Sequence, residues 1–219
     1  MEKTILGKQQ KQLLELLSEK EIITNNFHLT GGTALAEFYL YHRYSEDLDF
    51  FSETEFDVQV ILSTLKTIRK EGGIKKIDYQ QSFNRNLIFL HCKDEIIKTE
   101  FTFFPFTKIE KGPHIGKLQI ESLHDIAVNK IFTIYQKPRS RDFIDLFLIL
   151  KKHKWTIPEL ITKARTKFDW HVDYLQLGSQ FLLAKKVKDY PRMIIKIKDE
   201  EWQNFFEKEA EKLGKKILN

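Results

Sequence analysis

Residues 30–51 read TGGTALAEFYLYHRYSEDLDFF, and their reading decides that of the rest of the chain. Leu48, Phe50 and Phe51 surround Asp47 and Asp49 and favour an extended strand. Alternation along a strand sends Asp47 and Asp49 to the same face. Two carboxylates side by side repel each other, and a divalent cation between them removes the repulsion. Hard oxygen donors on neighbouring positions suit Mg²⁺, with Mn²⁺ as its substitute; Mg²⁺ usually takes one or two carboxylates plus substrate phosphates. Two such ions can clamp both the attacking and the leaving oxygens of a phosphoryl transfer. A D-x-D pair alone fits a solvated strand end better than a metal site, so the residues before it carry the decision.

Upstream, Phe27-His28-Leu29 reads as a short strand. Gly31 and Gly32 allow a tight turn and a close backbone approach to a ligand. Thr33 is expected to cap a helix over about 34–42. A helix N-terminus, with its unsatisfied N–H groups, binds phosphate. Strand, Gly-Gly-Thr, helix and a D-x-D strand then form one connected device. The turn holds a triphosphate, and the carboxylates hold the metal that bridges it. Leu35, Phe38, Tyr39 and Tyr41 are expected to pack in the core.

These residues resemble the nucleotidyltransferase-fold superfamily, marked by Gly-Ser followed at a distance by D-x-D. They are most similar to the AbiEii/AbiGii toxin family, which usually reads GGTALA and then HR-x-S-x-DLDFF. The chain has Gly31-Gly32-Thr33-Ala34-Leu35-Ala36, then His42-Arg43-Tyr44-Ser45-Glu46-Asp47-Leu48-Asp49-Phe50-Phe51. Thr33 in place of serine and the longer gap to Asp47 depart from the wider superfamily but fit the toxin branch. The resemblance implies an α/β (α+β) nucleotidyltransferase-fold mixed sheet with flanking helices, followed by a C-terminal helical domain. It implies a nucleoside triphosphate substrate and a divalent metal held by Asp47 and Asp49. It implies nucleotide contacts from Gly31, Gly32, Thr33, Arg43 and Ser45. It also implies a cognate antitoxin, a role in phage defence and tRNA as acceptor.

The composition bounds these readings. The chain has 219 residues, with 42% hydrophobic and 31% charged side chains, as in soluble globular proteins. Its net charge of +5 fits a polyanionic partner such as RNA, and fits lysine-rich surface helices as well. Cys92 is the one cysteine, which excludes an intrachain disulfide and fits a reducing compartment. It lies in an apolar strand and reads as core. No apolar run reaches membrane-spanning length, and the N-terminus lacks a signal-peptide core, so a cytoplasmic location is expected.

In chain order, residues 7–24 read as one helix with Leu13, Leu14, Leu17 and Ile22 as its apolar stripe. Asp57 is placed to cap a helix over about 58–70, which Glu71-Gly72-Gly73 ends. Strands follow over Ile74–Gln81, Asn86–Cys92 and Glu95–Phe103, with turns at Asn84-Arg85-Asn86 and Lys93-Asp94. Glu100 stands in a strand that could lie beside Asp47 and Asp49. Nucleotidyltransferases of this fold carry a third acidic residue on a later strand, and by resemblance Glu100 is the candidate, as metal ligand or general base. An edge-strand charge facing solvent is the plain alternative.

Phe104–Gly116 reads as a loop, and a domain boundary is placed there: a catalytic domain over 1–110 and a helical domain over 117–219. The helical domain is expected to contribute Lys130 and Asp142/Asp145 to the site. A helix over Ser122–Tyr135 carries Lys130 on an otherwise apolar face, where an unpaired ammonium is costly. Lys130 either meets a phosphate or snorkels to the surface. A helix over about 141–153 places Asp142 and Asp145 on one face, where they could orient Lys130 or an arginine. The toxin family has a lysine after its sheet and then an R-D-x-x-D-L helix, matched here by Lys130 and Arg141-Asp142-Phe143-Ile144-Asp145-Leu146. There the lysine contacts nucleotide phosphate and one aspartate is needed for activity, so by resemblance Lys130, Asp142 and Asp145 are catalytic candidates.

Three more helices are expected over about 157–168, 171–187 and 199–217. Trp155, Phe168, Trp170, Phe181, Trp202, Phe205 and Phe206 read as bundle core. Lys185, Lys186, Lys188, Lys212, Lys215 and Lys216 read either as a basic surface for RNA or as solvated helix faces.

The activity expected is Mg²⁺-dependent transfer of a nucleoside monophosphate to an acceptor hydroxyl, releasing pyrophosphate. Asp47, Asp49 and Glu100 are the expected metal ligands. Two rivals stay open at the level of sequence: transfer to a small molecule or protein side chain, and a catalytically silent nucleotide- or RNA-binding regulator.

Overall fold

The strand that carries Asp49 lies inside a seven-stranded mixed sheet, seen in a computed structural model that describes residues 3–217. The strands are β1 (His28–Thr30), β2 (Leu48–Ser52), β3 (Lys76–Ser82), β4 (Arg85–His91), β5 (Ile96–Phe103), β6 (His114–Ile115) and β7 (Leu118–Ile120). Their order across the sheet is β3-β4-β5-β2-β1-β7-β6. β2 runs antiparallel to β1 and parallel to β5. Leu48, Phe50 and Ser52 are buried, whereas Asp49 and Phe51 on the opposite face are half-buried. Burying Leu48 and Phe50 contributes about 1.5–3 kcal/mol each. A one-residue slip would carry Asp49 into the core, so the apolar pattern also fixes the register of the carboxylate.

Two compact units divide the chain, residues 1–122 and 123–219. In the first, α1 (Lys8–Ser18) and α2 (Glu21–Thr24) replace the single helix expected over 7–24. Lys20 takes an extended backbone between them. The restart changes the helical phase, so Ile23 is buried and Ile22 exposed. The next helix starts at Gly31, not near residue 34: α3 (Gly31–Leu35) passes into a π-helical turn over Ala36–Leu40, closed by left-handed Tyr41. Leu35 is fully buried, while Phe38, Tyr39 and Tyr41 are only half-buried. α4 (Val58–Thr67) is shorter than expected, but Asp57 caps it, accepting from the Gln59 N–H at 2.8 Å.

The β3–β4 turn is Phe83-Asn84 and not Asn84-Arg85-Asn86, because Ser82 pairs with Arg85. The backbone N–H of Phe103 donates to the Asn84 carbonyl and the Asn84 amide donates to the Phe103 carbonyl, which ties this turn to β5. Arg85 is therefore a strand residue with a defined direction. Between 104 and 120, β6 and β7 form a tight hairpin around Gly116 (φ 55°), and β7 adds to β1 in parallel. These strands belong to the first unit, where the sequence suggested a loop and then the helical domain.

The second unit is helical: α5 (Leu123–Gln136), α6 (Ser140–Lys152), α7 (Ile157–Phe168), α8 (Tyr174–Leu182) and α9 (Asp199–Ile217). Thr156 and Glu159 form a reciprocal capping box that starts α7. Trp202, Phe143, Phe181 and Phe206 are fully buried and form its aromatic centre. Trp170 departs from the expected core and is 56% exposed. It follows the left-handed Asp169 that ends α7, so it falls off the apolar face of that helix. Among the described residues no helix is long and apolar enough to cross a membrane.

Candidate active site

The carboxylates expected from the sequence meet on one face of the sheet. Asp49 and Glu100 are direct register partners on the parallel strands β2 and β5. Asp47, one residue before β2, presents its carboxylate to Lys98, two residues before Glu100 on β5: Lys98 Nζ donates to Asp47 Oδ2 at 2.8 Å and lies 3.9 Å from Glu100 Oε2. Strand alternation explains the grouping, since Lys98, Glu100 and Thr102 share one face of β5.

Glu100 is not exposed at an edge; it is 5% exposed in a central strand. Arg85 grips it through both oxygens, Nε to Oε1 at 2.6 Å and Nη2 to Oε2 at 2.5 Å, and the Thr102 hydroxyl donates to Oε1 at 2.9 Å. Burial pushes the Glu100 carboxyl up, but the hydrogen bonds and charge of Arg85, with Thr102 and Lys98, outweigh it and hold it below its ordinary value. Arg85 is pushed up, first by its hydrogen bonds to Glu100 and further by the charges of Asp49 and Asp47.

Behind the carboxylates stands the glycine pair. Gly31 has φ +73°, a left-handed value, and a Cβ there would run into the Asp49 carboxylate. A Cβ on Gly32 would sit 2.5 Å from Arg43 Nη2 and 2.9 Å from Ser45 Oγ. The left-handed backbone favours glycine at 31, and at 32 a side chain would displace the Arg43 and Ser45 side-chain ends that gather there. Thr33 does not cap the helix. Thr30 occupies that position without a side-chain cap, and its hydroxyl donates to the buried Glu121 carboxylate. Thr33 is fully buried inside the helix, and its hydroxyl donates to the Asp47 carbonyl at 2.5 Å. It ties the glycine turn to the start of the D-x-D strand.

Among the described residues no three His, Cys, Asp or Glu side chains are drawn together as a metal-binding group. Asp47 and Asp49 nevertheless fit a divalent ion as donors: hard oxygens on one face, in a site where added Cβ atoms are not tolerated. Glu100, expected as a third ligand, has both oxygens engaged by Arg85.

The candidates in the helical unit form a cluster of their own. Lys130 Nζ lies 2.8 Å from Asp142 Oδ1 and 2.7 Å from Asp145 Oδ2. Arg139 Nε donates to Asp142 Oδ2 at 2.7 Å. Both aspartate side chains are fully buried, and Lys130 is nearly so. The aspartates thus orient both a lysine and an arginine, and Lys130 does not snorkel. Burial pushes Asp142 up, yet the charge of Lys130 and the hydrogen bond and charge of Arg139 outweigh it, so its carboxyl lies below the ordinary range. Of the lysines considered for RNA binding, Lys185 pairs with Glu207 at 2.8 Å and Lys212 with Glu209 at 2.6 Å.

Sequence reasoning missed Lys98 and Arg85. Lys98 was legible, being two residues before Glu100 on an alternating strand. Arg85 was not, because the turn was placed one residue too late.

The model of the AbiEii nucleotidyltransferase toxins of type IV toxin–antitoxin systems matches residues 15–215, and the chain belongs to that family. It is 28% identical over 207 residues to the uncharacterized protein aq_aa25 of Aquifex aeolicus (strain VF5), covering 94% of this chain and 96% of that one. Among solved structures it is similar to JHP933 of Helicobacter pylori, with a TM-score of 0.60 and 20% identity over 96% of this chain and 91% of that chain. A second H. pylori structure, described as a candidate nucleotidyltransferase, has a TM-score of 0.58 and 20% identity over 97% of this chain and 98% of that chain. The chain is a nucleotidyltransferase with the fold expected, and its family places it in a toxin–antitoxin setting. A nucleoside triphosphate as substrate and a cognate antitoxin follow from that membership.

Proposed function

We propose that the protein transfers a nucleoside monophosphate from a nucleoside triphosphate, with Mg²⁺, to the hydroxyl of a tRNA, as the toxin of a phage-defence pair. The observation that carries this reading is the row of Asp47, Asp49 and Glu100 on neighbouring strands beside a glycine turn with no room for a side chain. Asp47 and Asp49 would hold the divalent ion, which when bound supplies positive charge at the phosphate under attack.

The chain's own residues do the rest. Gly31 and Gly32 let the triphosphate approach the backbone, and Arg43 and Ser45, gathered at Gly32, donate to its oxygens. Thr33 acts as a positioning residue that fixes the start of the D-x-D strand. The acceptor oxygen forms its bond to the α-phosphorus, the α–β phosphoanhydride bond breaks, and pyrophosphate leaves. Glu100, kept ionised by Arg85, accepts the hydroxyl's proton or completes the ion's ligands. From the family resemblance alone, Lys130 is proposed as a phosphate contact, with Asp142 and Asp145 as the residues that orient it. The net charge of +5 supports an RNA acceptor.

The test incubates the protein with Mg²⁺, total tRNA and each α-labelled nucleoside triphosphate in turn, beside an Asp47→Ala/Asp49→Ala variant. Label on tRNA with wild type alone supports the reading and names the nucleotide. Pyrophosphate released without labelled RNA moves the acceptor to a protein or small molecule. Nucleotide bound without turnover overturns the catalytic reading in favour of a binding regulator.

A further inference from the structure

The carboxylate row carries two cations, and they are held differently. Arg85 grips Glu100 at both oxygens through a planar fork. Lys98 makes one short contact, to Asp47, and a longer one to Glu100. Its side chain is 28% exposed and that of Asp47 41% exposed, so water reaches the pair. An ammonium on a flexible stem, with one hydrogen bond to a half-exposed carboxylate, is a counter-ion that can leave without unfolding its strand. It stands on the oxygen that a divalent ion would need.

We infer that Lys98 is the displaceable counter-ion of the D-x-D pair: it holds Asp47 until a divalent ion enters together with a nucleoside triphosphate, and then turns to the triphosphate. The inference rests on the reading of Asp47 and Asp49 as metal ligands. Its physical basis is competition. A lone divalent ion that takes Asp47 Oδ2 leaves an ammonium beside a second cation, which is repulsive. A triphosphate arriving with the ion supplies anionic oxygens for that ammonium and removes the repulsion. Metal and nucleotide then favour each other's binding, and by linkage each raises the other's affinity by the same factor. Arg85, which holds both Glu100 oxygens through its Nε and Nη2, stays in place and keeps Glu100 ionised throughout.

The test measures Mn²⁺ binding directly, from the electron-spin resonance signal of the unbound ion. It is run with and without a nucleoside triphosphate analogue whose α–β bridge is methylene, so no turnover intervenes. In wild type, Mn²⁺ alone binds weakly and the analogue strengthens it. Lys98→Met removes the competitor and keeps the stem. Mn²⁺ alone should then bind about two- to fivefold tighter, the upper part of the range expected for a half-exposed ion pair. The strengthening by the analogue should shrink by a similar factor. Lys98→Gln serves as a second substitution should the methionine disturb the strand, and thermal unfolding confirms that each variant is folded. Unchanged Mn²⁺ affinity and unchanged coupling in a folded variant would overturn the inference while leaving the metal reading intact. Asp49→Asn separates the two: if it binds Mn²⁺ as wild type does, the metal reading fails, and the inference fails with it.

Discussion

The carboxylates and cations on the sheet and those between α5 and α6 differ in how much water reaches them. On the sheet, Asp47, Asp49 and Glu100 face Lys98 and Arg85, and the Asp47 and Arg85 side chains are 41% and 51% exposed. In the helical unit, Lys130 sits between Asp142 and Asp145, whose side chains are fully buried. The distances are alike, near 2.8 Å in each case. Exposed pairs contribute up to about 1 kcal/mol and exchange partners readily. Removing one member of a buried pair strands a charge in low dielectric and costs about 3–5 kcal/mol. Similar contact geometry thus serves exchange in one place and fixation in the other.

The sharpest way to break this contrast is at the exposed cluster's chemistry. Asp49→Asn should lower nucleotidyl transfer by about a thousandfold or more, about 4 kcal/mol in the barrier, with little change in unfolding temperature. Single-turnover transfer and thermal unfolding, read side by side, decide it. A variant that keeps full activity removes Asp49 from the site.

Lys130→Met should do the reverse in stability. It takes the shared ammonium from two buried carboxylates and leaves Arg139 on Asp142, and the helical unit should lose about 3–5 kcal/mol. All three tryptophans, Trp155, Trp170 and Trp202, lie in that unit, so their fluorescence in urea reports it alone. An inactive Lys130→Met with unchanged unfolding would mean that the lysine serves the nucleotide and not the fold.

Acid sharpens the same point. The Asp142 carboxyl lies below its ordinary value of 3.8 in the folded chain. Its stabilising contribution is complete above that value and is lost as pH falls through the depressed one. Tryptophan-monitored stability should therefore fall with pH below about 4 in wild type. In Lys130→Met the dependence should flatten, because Asp142 then keeps only Arg139 against its burial. A fall as steep as wild type's would show that Lys130 does not hold Asp142 ionised.

The smallest effect is expected at Arg85. Arg85 is half-exposed but its partner Glu100 is buried, so Arg85→Ala should cost about 1–3 kcal/mol, limited by the carboxyl's ability to take up a proton. Without its partner Glu100 keeps only burial and weaker hydrogen bonds, so its carboxyl rises and the acid limb of the pH–rate profile should move upward. An unmoved acid limb would take Glu100 out of the reacting groups.

Much of this was legible locally. Leu48, Phe50 and Phe51 announce the strand, Leu48 and Phe50 its buried face, and the alternation of β5 places Glu100. Asp57 announces the cap of α4, and the broad apolar face of Ile126, Ala127, Ile131 and Ile134 announces α5. The site's glycines were legible as a turn but not as the particular close contacts with Asp49, Arg43 and Ser45. Thr33 was misread as a cap because Ser and Thr favour that position whenever local sequence alone is weighed. Its partner, the Asp47 carbonyl, comes from the next strand.

The sequence by itself determined which residues carry chemistry and on which face of a strand or helix each stands, because those follow from periods of 2 and 3.6 residues. Only the tertiary structure decided which charge meets which. Arg85 with Glu100, Lys98 with Asp47, and Lys130 with two aspartates are pairings across elements separated in sequence, and strand register and helix packing set them. Burial then made the difference between them, since a charge is exchangeable in water and fixed in a core.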